Sequence, residues 1–425
     1  MQVLVIGGGG REHTLVWKLA QSPSVDKVYA APGNPGMKNL AECVDLDVTN
    51  LEGLADWAEE HQIDLTVVGP EAPLVAGIVD VFRGRGLTIF GPSAKAAEIE
   101  GSKIFSKELM EKYHIPTAFF KVCDNLADAR AFVEEKGAPI VIKADGLAAG
   151  KGVVVAMTKQ EALDALDEMM GNHKFGTAGN RVVIEEFMEG EEASLLAFTD
   201  GKTIVPMLAA QDHKRVNDGD EGPNTGGMGA YCPAPVMTDA LKQKTLETIL
   251  RPVVDALAKE GRTYTGCLYA GLMIKGDSIK VVEFNARFGD PETQVVLPLL
   301  DSDLAQIMVA CSTGTLTPDL VKWSTKAAVC VVMASGGYPE SYPKGLPITG
   351  LAEAGALDQV VVFHAGTKEK DGQIVTNGGR VLGVTAVDDS IAAAQKKAYA
   401  AVEKIHFEGV HYRHDIAWRA LKRLK

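Results

Sequence analysis

The distribution of apolar runs predicts an α/β protein built from several domains, and three observations carry that expectation. Up to about residue 91 short apolar runs alternate with helical stretches, a glycine-rich segment falls between two strands, and from about residue 326 the chain turns β-rich before finishing in helix. At 425 residues the chain exceeds what one core ordinarily serves, so interdomain clefts are expected, and small ligands usually sit in clefts.

Taken in order, apolar runs at 3–6, 28–31, 65–69 and 87–90 read as the strands of a parallel βαβ domain. A helix is expected over 104–113. Strands at 140–143 and 153–156 make a hairpin of the glycine-rich stretch between them. A strand at 193–198, a long polar loop around 219–229 and a helix over 239–260 follow, then strands at 266–274 and 279–284. Strands at 328–333, 360–364 and 381–386 mark the last unit, where Asn377-Gly378-Gly379 has hairpin-turn chemistry.

Lys and Arg number 43 against 56 Asp and Glu, a net charge of -13, so the overall field repels nucleic acid and anionic membranes. An anionic substrate must then be held by a local cluster of positive groups. The six cysteines include no Cys-x-x-Cys pair, which speaks for reduced thiols in a cytoplasmic protein rather than a zinc site or disulfide framework. Met1 runs directly into an apolar strand without the basic stretch of a secretion signal, and no apolar run approaches membrane-spanning length.

Residues 3–13 (VLVIGGGGREH) read as a strand, a glycine loop and a helix start. Gly7 and Gly9 fit the first two glycines of the dinucleotide fingerprint, but Glu12 stands at the third and no ribose-binding acid ends the next strand. The loop fits either a single phosphate held by the amide of Gly9 and by Arg11, or a tight strand-to-helix turn. Glu71, in Gly-Pro-Glu-Ala-Pro-Leu after another strand, could accept hydrogen bonds from sugar hydroxyls.

Residues 142–153 (IKADGLAAGKGV) lack the Gly-Lys-Ser/Thr ending of a Walker loop. A hairpin folding over phosphates, with Gly150 in the loop and Lys143 projecting from the strand, explains the glycines and lysines together. Lys103 supplies a further cation. The apolar strand ending in Glu185, Glu186 and Phe187 suits a hinge whose backbone pairs with an adenine edge, and Glu192 could take both ribose hydroxyls. Glu283, Asn285 and Arg287 alternate with apolar residues and so share one strand face, where the first two offer oxygen ligands suited to Mg²⁺ or Mn²⁺. Arg287 can stabilise a transferring phosphoryl group, and Asp290 in the next turn can hold a substrate ammonium. The glycine-rich stretch 212–229, with Asp212 and Gly227, is read as a functional substrate loop.

These segments together resemble the ATP-grasp superfamily and, within it, the phosphoribosylamine–glycine ligases. The matching elements are 8–13 (GGGREH), 69–74 (GPEAPL), 143–152 (KADGLAAGKG), 212–215 (DHKR), 223–230 (PNTGGMGA) and 283–292 (EFNARFGDPE). The resemblance implies a substrate domain at 1–102, a main grasp subdomain at 103–122 and 190–326, a lid at 123–189, and a closing domain at 327–425. It implies that ATP, glycine and 5-phosphoribosylamine become glycinamide ribonucleotide, ADP and phosphate through glycyl phosphate. It also implies nucleotide contacts at Lys103, Lys143, the 185–187 hinge and Glu192, with metal ligation by Glu283 and Asn285. Leu272-Met273 stand where several relatives keep a further acidic ligand, which leaves the count of ligands and metal ions open. The expected assembly is a monomer or weak dimer. Another carboxylate–amine ligase and a regulatory nucleotide-binding module are the rival classes; Arg287 and Asp290 are superfluous for the latter.

Overall fold

The computed structural model describes residues 1–146, 152–172 and 174–425. The expected Gly146–Gly152 phosphate hairpin, with Gly150, thus lies almost wholly outside the described residues. Strands Gln2–Gly7, Lys27–Pro32, Glu42–Cys43, Leu65–Val68 and Ile89–Phe90 form one parallel sheet, with Gln2–Gly7 at its centre. Val3, Leu4, Val5 and Ile6 are fully buried because helices cover both faces of a parallel sheet.

Two antiparallel four-stranded sheets follow. The first joins Phe120–Cys123, Val182–Glu186, Ile140–Ala144 and Val153–Ala156 in that spatial order, with its own core around Phe132, Leu166 and Ile184. The second joins Ile204–Pro206, Glu191–Thr199, Gly266–Lys275 and Ser278–Asn285. A five-stranded sheet in the order Gln211–Asp212, Gly229–Cys232, Ala327–Ala334, Arg380–Asp388 and Val360–His364 makes the C-terminal sheet, against which helix Ile391–Val402 packs.

Two expectations are corrected. The stretch read as a long loop contains strand: Glu221–Asn224 pairs with Arg215–Asn217, and at its end Gly229–Cys232 joins the C-terminal sheet beside Ala327–Ala334. Its polar and glycine-rich composition hid this, since the pairing partner lies about a hundred residues away. The hairpin turn is not at Asn377-Gly378-Gly379 but at Asp371-Gly372, between Thr367–Lys370 and Gln373–Thr376, where φ is +51° and +76°. Both turn residues in the left-handed region suit a tight hairpin. Asn377-Gly378-Gly379 is instead a close crossing, with Gly378 and Gly379 carbonyls accepting from the Ser335 hydroxyl and amide, each at 2.7 Å.

The first and last domains meet through buried polar groups. His13 Nδ1 accepts the His364 amide at 2.7 Å, and Asn34 Nδ2 donates to Gly8 and His364 carbonyls, each at 2.9 Å. Burial pushes His13 down to about 3 and His364 down to about 4, so both are neutral in this contact. No helix among the described residues is long and apolar enough to cross a membrane.

Candidate active site

A cleft of about 350 Å³ opens where the domains converge, and it brings together most of the residues singled out from the sequence: Lys103, Lys143, Glu185, Glu283, Asn285 and Arg287 line it, as do Arg11, Glu71, Asp212 and Asp290. Glu192, Gly227 and Gly9 do not line it but neighbour residues that do, Lys214, Arg380 and Asp290 respectively.

One wall is ammonium-rich. Lys103 begins helix Lys103–Lys112, capped by the Ser102 hydroxyl, and its Nζ donates to the Gly146 carbonyl at 2.9 Å. Lys143 Nζ lies 3.0 Å from Glu185 Oε1 and donates to the Val282 carbonyl at 3.2 Å. Glu185 also pairs with Lys107 at 3.2 Å, and Lys107 donates to the Thr117 hydroxyl at 2.7 Å. Burial lowers Lys103, with Lys143 adding to the effect, and burial pushes Lys107 down to about 8 despite Glu185. Glu185 is thus an internal counter-ion for two lysines, whatever its backbone does for a nucleotide. Glu186 and Phe187 line a separate surface groove, where Glu186 pairs with Lys280 at 3.0 Å. The structure therefore splits the expected 185–187 hinge between two sides of the sheet.

The candidate metal position sits at the junction of the walls. Strand Ser278–Asn285 bulges at Val282: Gly271 pairs with Glu283 but Leu272 pairs with Val281. The bulge turns the Val282 carbonyl toward Lys143, the kind of local re-aiming that bulges provide beside functional sites. The residue opposite Glu283 is consequently Gly271, one position before Leu272-Met273, and a Cβ there would meet the Glu283 Cγ at 3.4 Å. Burial would raise Glu283, but Lys214, Lys143, Lys103 and Arg287 outweigh it and hold the carboxyl below its ordinary range. Among the described residues no group of three or more His, Cys, Asp or Glu is placed to hold a metal. Glu283 and Asn285 therefore fit a hard divalent cation only if a substrate supplies further oxygens, the usual arrangement for Mg²⁺ with nucleotide phosphates.

The other wall is made of guanidinium groups that are already engaged. Arg287 gives Nε to Glu71 at 3.2 Å, Nη2 to Glu100 at 2.8 Å and Nη1 to the Phe288 carbonyl at 3.4 Å. Its nitrogens thus face two carboxylates and a carbonyl at the cleft wall, where the sequence reading expects it to stabilise a transferring phosphoryl group. Arg11 Nε donates to Glu12 at 2.6 Å, and Nη1 lies 3.9 Å from Glu71. Glu71 is thus an ion-pair partner of both arginines, which hold it below its ordinary range despite burial.

The glycine loop resolves toward the turn. The Gly9 amide donates to Glu12 Oε2 at 2.7 Å, so the Glu12 side chain caps helix Gly10–Leu19, and Asp290 Oδ2 lies 3.9 Å from where a Gly9 Cβ would stand. The protein's own carboxylates fill the anion position expected for a phosphate. Asp290 also accepts from Gln294 at 2.9 Å and pairs with Arg380 at 3.4 Å; Arg380 and Arg11 keep it low against burial.

Asp212 is pushed up to about 7 by burial and the nearby Glu292 and Glu192, against Lys214. Lys214 pairs with Glu192 at 3.2 Å, so Glu192 reaches the cleft through that lysine. Gly227 offers its carbonyl to Arg380 at 3.4 Å. Sequence reasoning missed Lys107, Glu100, Glu292 and Arg380, all of which line the cleft. Lys107 had a signal, lying four residues after Lys103 and so on the same helix face. Arg380, in the C-terminal sheet, had none.

Comparison with known proteins agrees over the whole chain. Residues 1–100, 101–293 and 328–419 match the N, ATP-grasp (A) and C domains of phosphoribosylglycinamide synthetase. A phosphoribosylamine–glycine ligase of Pseudomonas aeruginosa is 55% identical over 426 residues, covering 100% of this chain and 99% of its own length. The crystal structure of the Thermotoga maritima phosphoribosylamine–glycine ligase superposes with a TM-score of 0.85 at 34% identity, covering 98% of this chain and 100% of that one. The biotin carboxylase domain of a Hydrogenobacter thermophilus 2-oxoglutarate carboxylase shares the fold at 16% identity, with a TM-score of 0.73 over 97% of this chain and 91% of its own. The chain belongs to the phosphoribosylglycinamide synthetase family, the phosphoribosylamine–glycine ligases.

Proposed function

We propose that this carbon–nitrogen ligase joins glycine to 5-phosphoribosylamine through glycyl phosphate, releasing ADP and phosphate in purine biosynthesis. The observation that carries the reading is one cleft in which Lys103 and Lys143 stand beside Glu283 and Asn285, with Asp290 across from them. Lys103 and Lys143 neutralise nucleotide phosphates; at an effective dielectric near 20, each unit pair about 4 Å apart is worth roughly 4 kcal/mol. The 185–187 backbone and Glu192 serve the adenosine, and Gly150 the phosphates. A Mg²⁺ or Mn²⁺ ion held by Glu283 and Asn285 would stabilise phosphate charge as it builds.

Asp290, kept ionised by Arg380 and Arg11, accepts the glycine ammonium and so orients its carboxylate. A glycine oxygen attacks the γ-phosphorus and ADP leaves. The amine of phosphoribosylamine then attacks the acyl carbon, and phosphate departs with the oxygen that came from glycine. Arg287 acts through its field on Glu283 and by fixing Glu71 and Glu100. Arg11, Glu71, Asp212 and Gly227 serve the sugar phosphate. The proposed division is a substrate domain at 1–102, main subdomain at 103–122 and 190–326, lid at 123–189 and closing domain at 327–425. The enzyme works in the cytoplasm as a monomer or weak dimer, a setting in keeping with six free cysteines, five of them buried, and with its negative charge it engages neither nucleic acid nor membrane.

With glycine labelled by heavy oxygen in its carboxylate, one labelled atom is expected in inorganic phosphate. AMP and pyrophosphate as products, or label retained wholly in the amide and water, would rule the mechanism out.

A further inference from the structure

The cations of the cleft divide by what they have left to give. Arg287 is spent on Glu71, Glu100 and Phe288, and Lys214 is matched by Glu192. Arg380 differs. Its Nη1 alone takes the Gly226, Gly227 and Asp290 carbonyls, at 2.9, 3.4 and 3.0 Å, and the Asp290 carboxylate at 3.4 Å. Nε and Nη2 make no hydrogen bond to the described residues, although the side chain lines the cleft. Those two nitrogens form one edge of the guanidinium, and that edge presents two parallel N–H bonds that match an oxyanion bidentately.

The position of Arg380 selects the oxyanion. Lys103 and Lys143 stand against Gly146, Val282 and Glu185, whereas Arg380 stands against Gly226, Gly227 and Asp290, and Asp212 and Glu292 line the cleft with it. Arg380 thus serves the end of the cleft away from the nucleotide cations, where the reacting glycine carboxylate must be. The acids around it complement an amine and hydroxyls, and the only substrate of the proposed reaction that combines an aliphatic amine and hydroxyls with an anionic end is the acceptor. We propose that Arg380, reaching into the cleft from the C-terminal sheet, binds the phosphate monoester of the acceptor substrate through its Nε and Nη2 edge. The assignment rests on the ligase reading above.

Gly226 gives an independent handle. Its backbone is not in the left-handed region, yet a Cβ there would stand 2.9 Å from the Arg380 Cζ and 3.0 Å from Nη2. An alanine at 226 would therefore push the guanidinium aside without removing its charge.

Calorimetric titration with ribose 5-phosphate, with glycine and with MgADP tests the proposal, after wild-type phosphate release from ATP, glycine and phosphoribosylamine has established the reaction itself. Arg380→Met is expected to weaken ribose 5-phosphate by about 10- to 100-fold, the range of a lost charge-assisted contact, with MgADP unchanged. Arg380→Lys should recover part of the loss, since a point charge replaces a fork, and Gly226→Ala should fall between. Unchanged ribose 5-phosphate affinity in Arg380→Met with MgADP binding intact, or a loss confined to glycine, overturns the assignment. If Arg380→Met also loses MgADP, Gly226→Ala decides by the same criteria. Wild-type protein that releases no phosphate with these substrates sinks the ligase reading instead.

Discussion

The two walls of the cleft solve opposite problems. On the nucleotide side, Lys103 holds only a carbonyl among the described residues and Lys143 shares Glu185 with Lys107, so positive charge is left over for an incoming polyanion. On the acceptor side, Arg287, Arg11 and Glu71 alternate charge with Glu100 and Glu12, leaving a compensated surface beside the Arg380 edge. A wall with unspent charge buys affinity, whereas a compensated wall keeps geometry. Removing one member of a buried, paired network leaves its partner uncompensated, while removing an under-used surface cation mainly weakens ligand binding.

The largest effect is expected at the junction. Glu283→Gln should lower turnover by about 10²- to 10³-fold while glycine affinity stays within a few-fold, because charge stabilisation there matters most in the transition state. Steady-state kinetics with glycine titrated separately checks this; an equal loss in glycine affinity would place Glu283 in ground-state binding.

The comparison itself is tested by Arg287→Met against Lys103→Met. The first strands Glu71 and the nearly buried Glu100, so it should destabilise the fold by about 3 kcal/mol or more. The second should leave the melting temperature within a few degrees and weaken MgATP about tenfold or more. Thermal melts and nucleotide titrations on both variants read the contrast. Equal stability losses would erase the distinction between the walls. Glu100→Gln in the Arg287→Met background should recover part of the stability, since a neutral amide needs no counter-ion.

Acid should loosen the acceptor side first. His13 and His364 join the first and last domains, and burial lowers them to about 3 and about 4 from an ordinary 6.5. Both folded values lie below the unfolded one, so the unfolded chain takes up protons first as pH falls. Stability is then lost from about pH 6.5 downward, by about 2 kcal/mol per histidine at pH 5. Melting curves at pH 7.5, 6 and 5 should show the slope, and a flat profile over that range would mean that the histidines are not neutral in the fold.

The smallest effect is expected for Arg11→Ala. Glu12 already takes its Nε, so the loss in phosphoribosylamine affinity should be about tenfold at most, with the ATP Michaelis constant unchanged. A loss that appears in ATP use would move Arg11 to the nucleotide wall.

Much of this site was legible in the chain, and the reason is local. Lys143 and Glu283 sit on strands whose polar residues interrupt apolar alternation, a conflict that only a function resolves. The partners of those residues were not legible. Nothing near Arg287 in sequence announces Glu71 or Glu100, and the glycine loop at 7–10 advertised an anion site that Glu12 and Asp290 fill. The same limit explains the missed strand Gly229–Cys232, whose pairing with Ala327–Ala334 is invisible in its composition.

The sequence by itself determined the α/β class, the order of strands and helices, and most of the polar residues that line the cleft, because periodicity and residue type act over a few positions. Only the tertiary structure decided which charges are spent and which remain available. Arg287 and Arg380 are the same residue type; the first lies between the carboxylates of Glu71 and Glu100, while Nε and Nη2 of the second make no hydrogen bond to the described residues. That difference arises from pairing between residues distant in the chain, where the local dielectric and the counter-ions set the charge each group can offer.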